Sequence, residues 1–308
     1  MTPLMIAALG ALMVATAFLS GLFGMAGGLI LIGVLLALMP LPTAMVLHAI
    51  TQMASNGWRA FLWRAHIRWR PVSVYLIGCA LALGAWSITR YVPDKPIALL
   101  ILGITPFMAR MLPKDIKPNP DSVWQGTLYG SICMGLMLMT GVSGPLLDTF
   151  FLGARTADLK SLRREPQVQP RDFRSKSGTR FINWPVPFAF RSSRDVVAAK
   201  SGELRKAGTG FERREIIATK ATCQVASHFT KLIYFGGIID QAATLDPVLA
   251  LVAVAASMLG TTLSRRVLEA MSDQQFRRWA NRLITTVASY YILYAGWLLV
   301  AKSSAAPF

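Results

Sequence analysis

Apolar positions dominate the chain in blocks of helical length, and the polar positions inside those blocks recur at helical spacing. Residues 3–23 form a first apolar segment, which Gly24 to Gly28 interrupt. Residues 28–39 are apolar again but too short to cross a bilayer comfortably at about 1.5 Å per residue. Pro40 and Pro42 then turn the chain into a segment over 44–63. There His48, Gln52, Ser55, Asn56 and Arg59 fall at i, i+4, i+7, i+8 and i+11. A period of 3.6 residues puts all five on one face of a helix, with Met, Leu, Phe and Trp on the others. Such a stripe is costly in lipid, so it must face protein, water or a ligand.

The pattern occurs twice. Gly141-Val-Ser-Gly-Pro-Leu-Leu-Asp148 reads against Gly24-Met-Ala-Gly-Gly-Leu-Ile-Leu31, and Lys220, Gln224, Ser227, His228 and Lys231 repeat the spacing of the first stripe. Two copies of a glycine break followed by a striped helix predict an internal duplication. A single stripe would be equally consistent with polar glue between helices.

Further apolar segments are predicted over 72–91, 97–111, 123–140, 145–153, 247–264 and 283–301, with the second striped helix over 213–235. Arg64, His66, Arg68 and Arg70, interleaved with Trp63 and Trp69, predict a cytoplasmic loop, as do Arg110, Lys114 and Lys117. The loop Gly236–Asp246 has two acids and no Lys or Arg, which predicts the opposite side. Arg265, Arg266, Arg277, Arg278 and Arg282 mark a cytoplasmic amphipathic connection. The loops after the two striped helices are thus expected on opposite sides, so the halves are expected to have inverted topology. The fold class is an all-α membrane protein, a polytopic bundle of two inverted-topology repeats with Gly-broken helices and about 8–10 membrane segments. The first repeat takes 1–111, and the second takes 112–153 and 211–308.

Composition agrees. Over 308 residues the mean hydropathy is +0.46 and 54% of residues are hydrophobic, more than soluble domains usually carry. The net charge of +17 sits between apolar segments and in one insert, which argues for cytoplasmic loops rather than for nucleic acid. Cys79, Cys133 and Cys223 all fall within apolar segments without CxxC spacing, and packing is their expected role. The first segment lacks a basic n-region and is expected to be retained.

The insert, 154–210, accounts for most of the extra length between glycine break and glutamine in the second half. It carries thirteen Lys and Arg against five acids, has four prolines, and offers no run long enough to cross. It is expected to be a basic, disordered cytoplasmic loop near anionic headgroups. Deleting 156–208 is expected to leave membrane insertion and transport nearly intact, because loop closure changes only slowly with length. A deletion protein that inserts but no longer transports would show the segment to be a working part.

GMAGG, LHAITQMASNGWRAFLWRAHIRW, GVSGPLLDTFF, ATKATCQVASHFTKLIYFG and LSRRVLEAMSDQQFRRW resemble, in this order, motifs of the TauE/SafE family of sulfite exporters and related permeases. The likeness covers nearly the whole chain outside the insert. It implies a multi-pass protein of the bacterial inner membrane that moves sulfite, sulfoacetate or another organosulfur anion, without fixing which.

The residues suggest how an anion would be held. Helix ends inside a membrane leave backbone groups that need partners, and glycine lets a ligand approach them. Gly24, Gly27 and Gly28 in one half and Gly141, Ser143 and Gly144 in the other are expected to bring two helix N-termini to an anion near the midplane. Close helix packing is the bland alternative for these glycines. Gln52, Ser55, Asn56, Gln224, Ser227 and His228 are expected to add side-chain contacts to the anion, and His48 and Lys220 are expected to serve coupling or charge balance. Asp148 stands where the first half has Leu31. It carries a coupling proton, pairs with Lys220, or sits at a wetter segment end. Arg59 and Lys231, nearer their helix ends, are expected at the membrane surface. Gln52→Ala, Gln224→Ala and Gly27→Leu are each expected to abolish transport without preventing insertion.

The expected partners are a small anionic substrate and membrane lipid, with no specific nucleic acid; a homodimer stays open. No cofactor or metal is expected. A membrane-embedded enzyme is the rival class, but HExxH, HxH, HxxxH, GxSxG and CxxC are all missing. An anion channel is the third reading.

Overall fold

Pro42, in the first turn of the first striped helix, has no N–H to leave unpaired, and its fixed φ suits a helix start. In the computed structural model that helix begins at Leu41, and the described residues are built of such segments. The structure describes residues 2–23, 26–111, 118–151, 213–239, 245–270 and 273–304, and these are helices and their connections without a strand. The order is α1 (Pro3–Phe23), α2 (Ala26–Leu38), α3 (Leu41–Leu62), α4 (Trp69–Thr89), α5 (Lys95–Met111) and α6 (Val123–Thr140). After Gly141 come α7 (144–151), α8 (Arg213–Ile233), a π-turn at Tyr234–Ile238, α9 (Pro247–Ala270) and α10 (Asp273–Ser304). Gly24 and the insert 154–210 lie outside the described residues. The stretch just before residue 283, expected to be an amphipathic connection, is helical: α10 already starts at Asp273.

The bundle turns apolar side chains outward and buries its polar stripes inside an apolar core. Ile88 is 86% exposed and Leu293 74%, while His48, Gln52, Asn56, His228 and Lys231 are buried. Water would penalise so large an exposed apolar surface, and lipid does not. Helices α1, α4, α9 and α10 are long and apolar enough to cross a membrane. This is a multi-pass membrane protein.

Helices α3 and α8, the two that carry the stripes, pack on one another in the middle. α1 packs on α9, α4 on α6, and α5 on α10; α3 also touches α9 as α8 touches α4. Two of these crossings are built alike. A Cβ on Gly78 of α4 would strike Thr127 O and Ser131 N of α6, and one on Gly260 of α9 would strike Val14 O and Phe18 N of α1. Both glycines therefore let a backbone approach a backbone at positions four residues apart, the close contact that helix association in lipid depends on. Gly78→Leu and Gly260→Leu are each expected to lose more than the 1–3 kcal/mol typical of overpacking, because roughly a whole side chain would have to enter backbone contact. Thermal unfolding in detergent checks this, and a wild-type melting temperature for either variant would contradict the packing described.

Candidate functional site

Three elements bring the site together. Gly141 ends α6 with φ +84°, and its N–H bonds Met137 O at 2.9 Å. A side chain there would need a left-handed conformation and would also meet Met45 and Ile32, so only glycine fits. Ser143 then stands just ahead of α7, where its carbonyl accepts Leu147 N–H at 3.1 Å. A serine in that position commonly turns its hydroxyl to the helix's own first N–H groups. Here Oγ is buried and has no partner.

That hydroxyl faces a small cavity. Gly28, His48, Gln52 and Asn56 line it from the first half of the chain; Val142, Ser143, Gly144, Gln224 and His228 line it from the second. Three polar atoms around it are buried without a hydrogen-bond partner: Gln52 Nε2, Ser143 Oγ and His228 Nδ1. Buried polar groups are ordinarily paired, and each left unpaired costs about 1–3 kcal/mol. Three at one cavity mark a place where something else completes the bonding.

The other candidates divide by what they touch. His48 Nε2 lies 3.1 Å from Gly28 O. Asn56 donates Nδ2–H to Gln52 O at 3.0 Å and accepts from Arg59 at 3.3 Å, so both ends of its amide are engaged. Arg59 also donates to Ser20 O at 3.3 Å, folding back on the bundle. Ser55 pairs with Thr261 of α9 at 2.8 Å, and Ser227 pairs with Tyr75 of α4 at 2.8 Å. These two serines sit about 60° round their helices from the glutamines, which turns them to a neighbouring helix rather than to the cavity. Lys220 forms an ion pair with Asp148, one of the three roles open to that acid.

Gly27 and Gly28 also part company. A Cβ on Gly27 would fall on Thr16 O and Ser20 of α1, so Gly27 serves the packing of α2 on α1. One on Gly28 would come 3.3 Å from Gln52 Oε1, at the cavity wall. Gly27→Leu, expected above to insert without transporting, would therefore drive its side chain into the backbone of α1.

Lys231 is the residue that the sequence reading misplaced. Expected at the membrane surface, it is 0% exposed, with Nζ 2.8 Å from His48 Nδ1 and 3.1 Å from Gly141 O. The π-turn carries the helix past Ile233 to Ile238, so Lys231 lies deeper than a count from the end of the apolar pattern suggests. Its place in the stripe was the available signal. Among the described residues no group of three His, Cys, Asp or Glu is arranged to hold a metal.

Comparison with known proteins bears on the N-terminal part of the chain, from α1 to α7. A family model described as sulfite exporter TauE/SafE matches residues 8–161, which takes in α1 through α7. Neither a search of curated proteins nor one of solved structures returned a match. The matched range is half of the chain and includes the first stripe, both walls that Gly28 and Ser143 give the cavity, and Asp148. With that match over a lipid-facing helical bundle, the chain belongs to the sulfite exporter TauE/SafE family of membrane transporters, which are not enzymes.

Proposed function

We propose that the protein is a secondary transporter for a small sulfur-containing anion, sulfite or an organosulfonate, bound in the cavity between α3 and α8. The observation that carries this reading is the set of unpartnered buried atoms, Gln52 Nε2, Ser143 Oγ and His228 Nδ1, around one cavity. An anion's oxygens would accept from Gln52 and Ser143, and the amide end of α7 at Gly144 adds its partial positive charge. Most of these donors are neutral, which suits a ligand that must also leave. Gly24, whose position is not described, belongs to the same proposed site as part of the first glycine break.

The halves are proposed to be inverted repeats that meet at this cavity. Exchanging α1–α5 with α6–α10 maps α1 on α9 onto α6 on α4, and leaves α3 on α8 and α5 on α10 in place. The Gly78 and Gly260 crossings, and the Ser55–Thr261 and Ser227–Tyr75 bonds, follow the same exchange. The anion site then lies where repeats usually meet, near the midplane. An inner-membrane location in a bacterium, with the basic loops inside, completes the proposal.

Purified protein in liposomes, given labelled sulfite and sulfoacetate, tests it. Saturable uptake that accumulates against a gradient is the expected result. Flux that is only downhill and does not saturate would make the protein a channel, and no flux of either anion would overturn the reading.

A further inference from the structure

Behind the cavity, Lys231 raises a separate question of charge. It is fully buried, and among the described residues no carboxylate pairs with it. From α3 it meets His48, and His228 precedes it on α8; the His48 and His228 rings lie 5.4 Å apart. α1 and α2 carry no titratable residue, and α9 has none in the stretch before Arg265. Tyr75 and Cys79 of α4 gather at Ser227, one turn away, near Cys133 of α6. Asp148 is already bound to Lys220, and the Tyr234 hydroxyl of the π-turn donates to Tyr91 O at 2.7 Å.

The hydrogen bonds fix where protons can sit. Gly28 O only accepts, so His48 Nε2 carries the ring hydrogen and donates to it at 3.1 Å. Nδ1 then presents a lone pair, to which Lys231 Nζ donates at 2.8 Å, and a second Nζ–H goes to Gly141 O at 3.1 Å. A third N–H exists only on the ammonium. Neither the bonds just named nor any other acceptor among the described residues takes it. One His–Lys pair thus joins the carbonyls of both glycine segments, and it has room for one more proton.

A lone positive charge buried there is costly, and so is an anion in the cavity beside an uncharged pair; the two together offset each other. We propose that the Lys231–His48 pair takes up one proton with each anion, so that transport is anion–proton symport. The inference rests on the cavity being the anion site. The proton enters from the aqueous side that supplies the anion, resides as the third N–H of Lys231 or on His48, and leaves to water with the anion on the other side. A monoanion then moves without net charge, and a dianion moves one negative charge.

Liposomes holding a pH-sensitive dye, with labelled sulfite as the probe, separate the two layers. Exchange of sulfite with no gradient reports the anion site; protons moved per sulfite report the coupling. Lys231→Arg keeps a permanent positive charge, and is expected to retain exchange while moving about one proton fewer per sulfite than wild type at the same pH. Comparison at one pH cancels the proton that sulfite itself binds. Lys231→Met covers the case in which Arg does not fit, and is expected to lose gradient-driven accumulation with exchange at least tenfold slower. Wild-type exchange with no proton difference between wild type and either variant overturns the coupling and leaves the anion site standing. Absence of exchange in wild type removes the anion reading itself.

Discussion

Gly27→Ala is expected to fail at assembly, and Gly28→Ala to fold normally and transport poorly. The two positions are adjacent on α2 and opposite in what they meet. A Cβ on Gly27 would overlap Thr16 O and come within 2.5 Å of Ser20 Oγ and 2.6 Å of Ser20 N. Two of those three atoms are backbone of α1 and cannot swing away, so the helices must separate. Forced overpacking of this kind costs about 1–3 kcal/mol or more, a large part of a membrane protein's margin. A Cβ on Gly28 meets only the end of the Gln52 side chain, at 3.3–3.6 Å, and a flexible amide can give way. Its movement takes Gln52 Nε2 out of position at the cavity, and a displaced donor worth about 1.4 kcal/mol weakens anion binding tenfold. Elution as a single species in detergent, melting temperature and sulfite exchange separate the cases. Normal folding of Gly27→Ala would refute the packing role, and full transport by Gly28→Ala would refute the cavity's.

Gln52→Met and Gln224→Met are expected to weaken anion binding about 10- to 100-fold without lowering the melting temperature. Hydrogen bonds to a charged group contribute about 1.5–3 kcal/mol, which sets the size of the loss. The sign of the stability effect is the sharper test. Gln52 Nε2 is buried without a hydrogen-bond partner. Methionine keeps the length of the chain and removes that unsatisfied donor, so the ligand-free variant should melt at the wild-type temperature or above it. A glutamine that merely glued α3 to α8 would behave in the opposite way. Exchange kinetics with labelled sulfite and unfolding without ligand give both readings. A marked drop in melting temperature with unchanged affinity would show Gln52 to be structural.

Several features were legible from residues alone because they depend on neighbours along the chain. The prolines at 40 and 42 start α3 at Leu41; the apolar run 3–23 is α1; the segment 123–140 is α6. Helical periodicity also put His48, Gln52 and Asn56 on one face, and Gln224 and His228 on another, and these five do line one cavity. Where the periodic signal continued through a change in loop character, as at Asp273 to Arg282, charge suggested a connection while the backbone stayed helical. Charged residues mark a membrane boundary, not the end of a helix.

What periodicity determined was the face each residue occupies; what it left to the tertiary structure was the identity of whatever that face meets. Ser55 and Gln52 share a stripe, yet a turn of about 60° hands one to α9 and the other to the cavity. Gly27 and Gly28 share a motif, yet one is pressed on α1 and the other borders the site. Asp148 and Lys220 lie 72 residues apart in the chain, and only the meeting of α7 and α8 brings them into an ion pair. Lys231, spaced like Arg59 in its own stripe, lies buried against His48 because α8 runs on through the π-turn and α3 crosses it there. Burial and partnership are properties of two surfaces brought together, and a sequence pattern describes only one surface at a time.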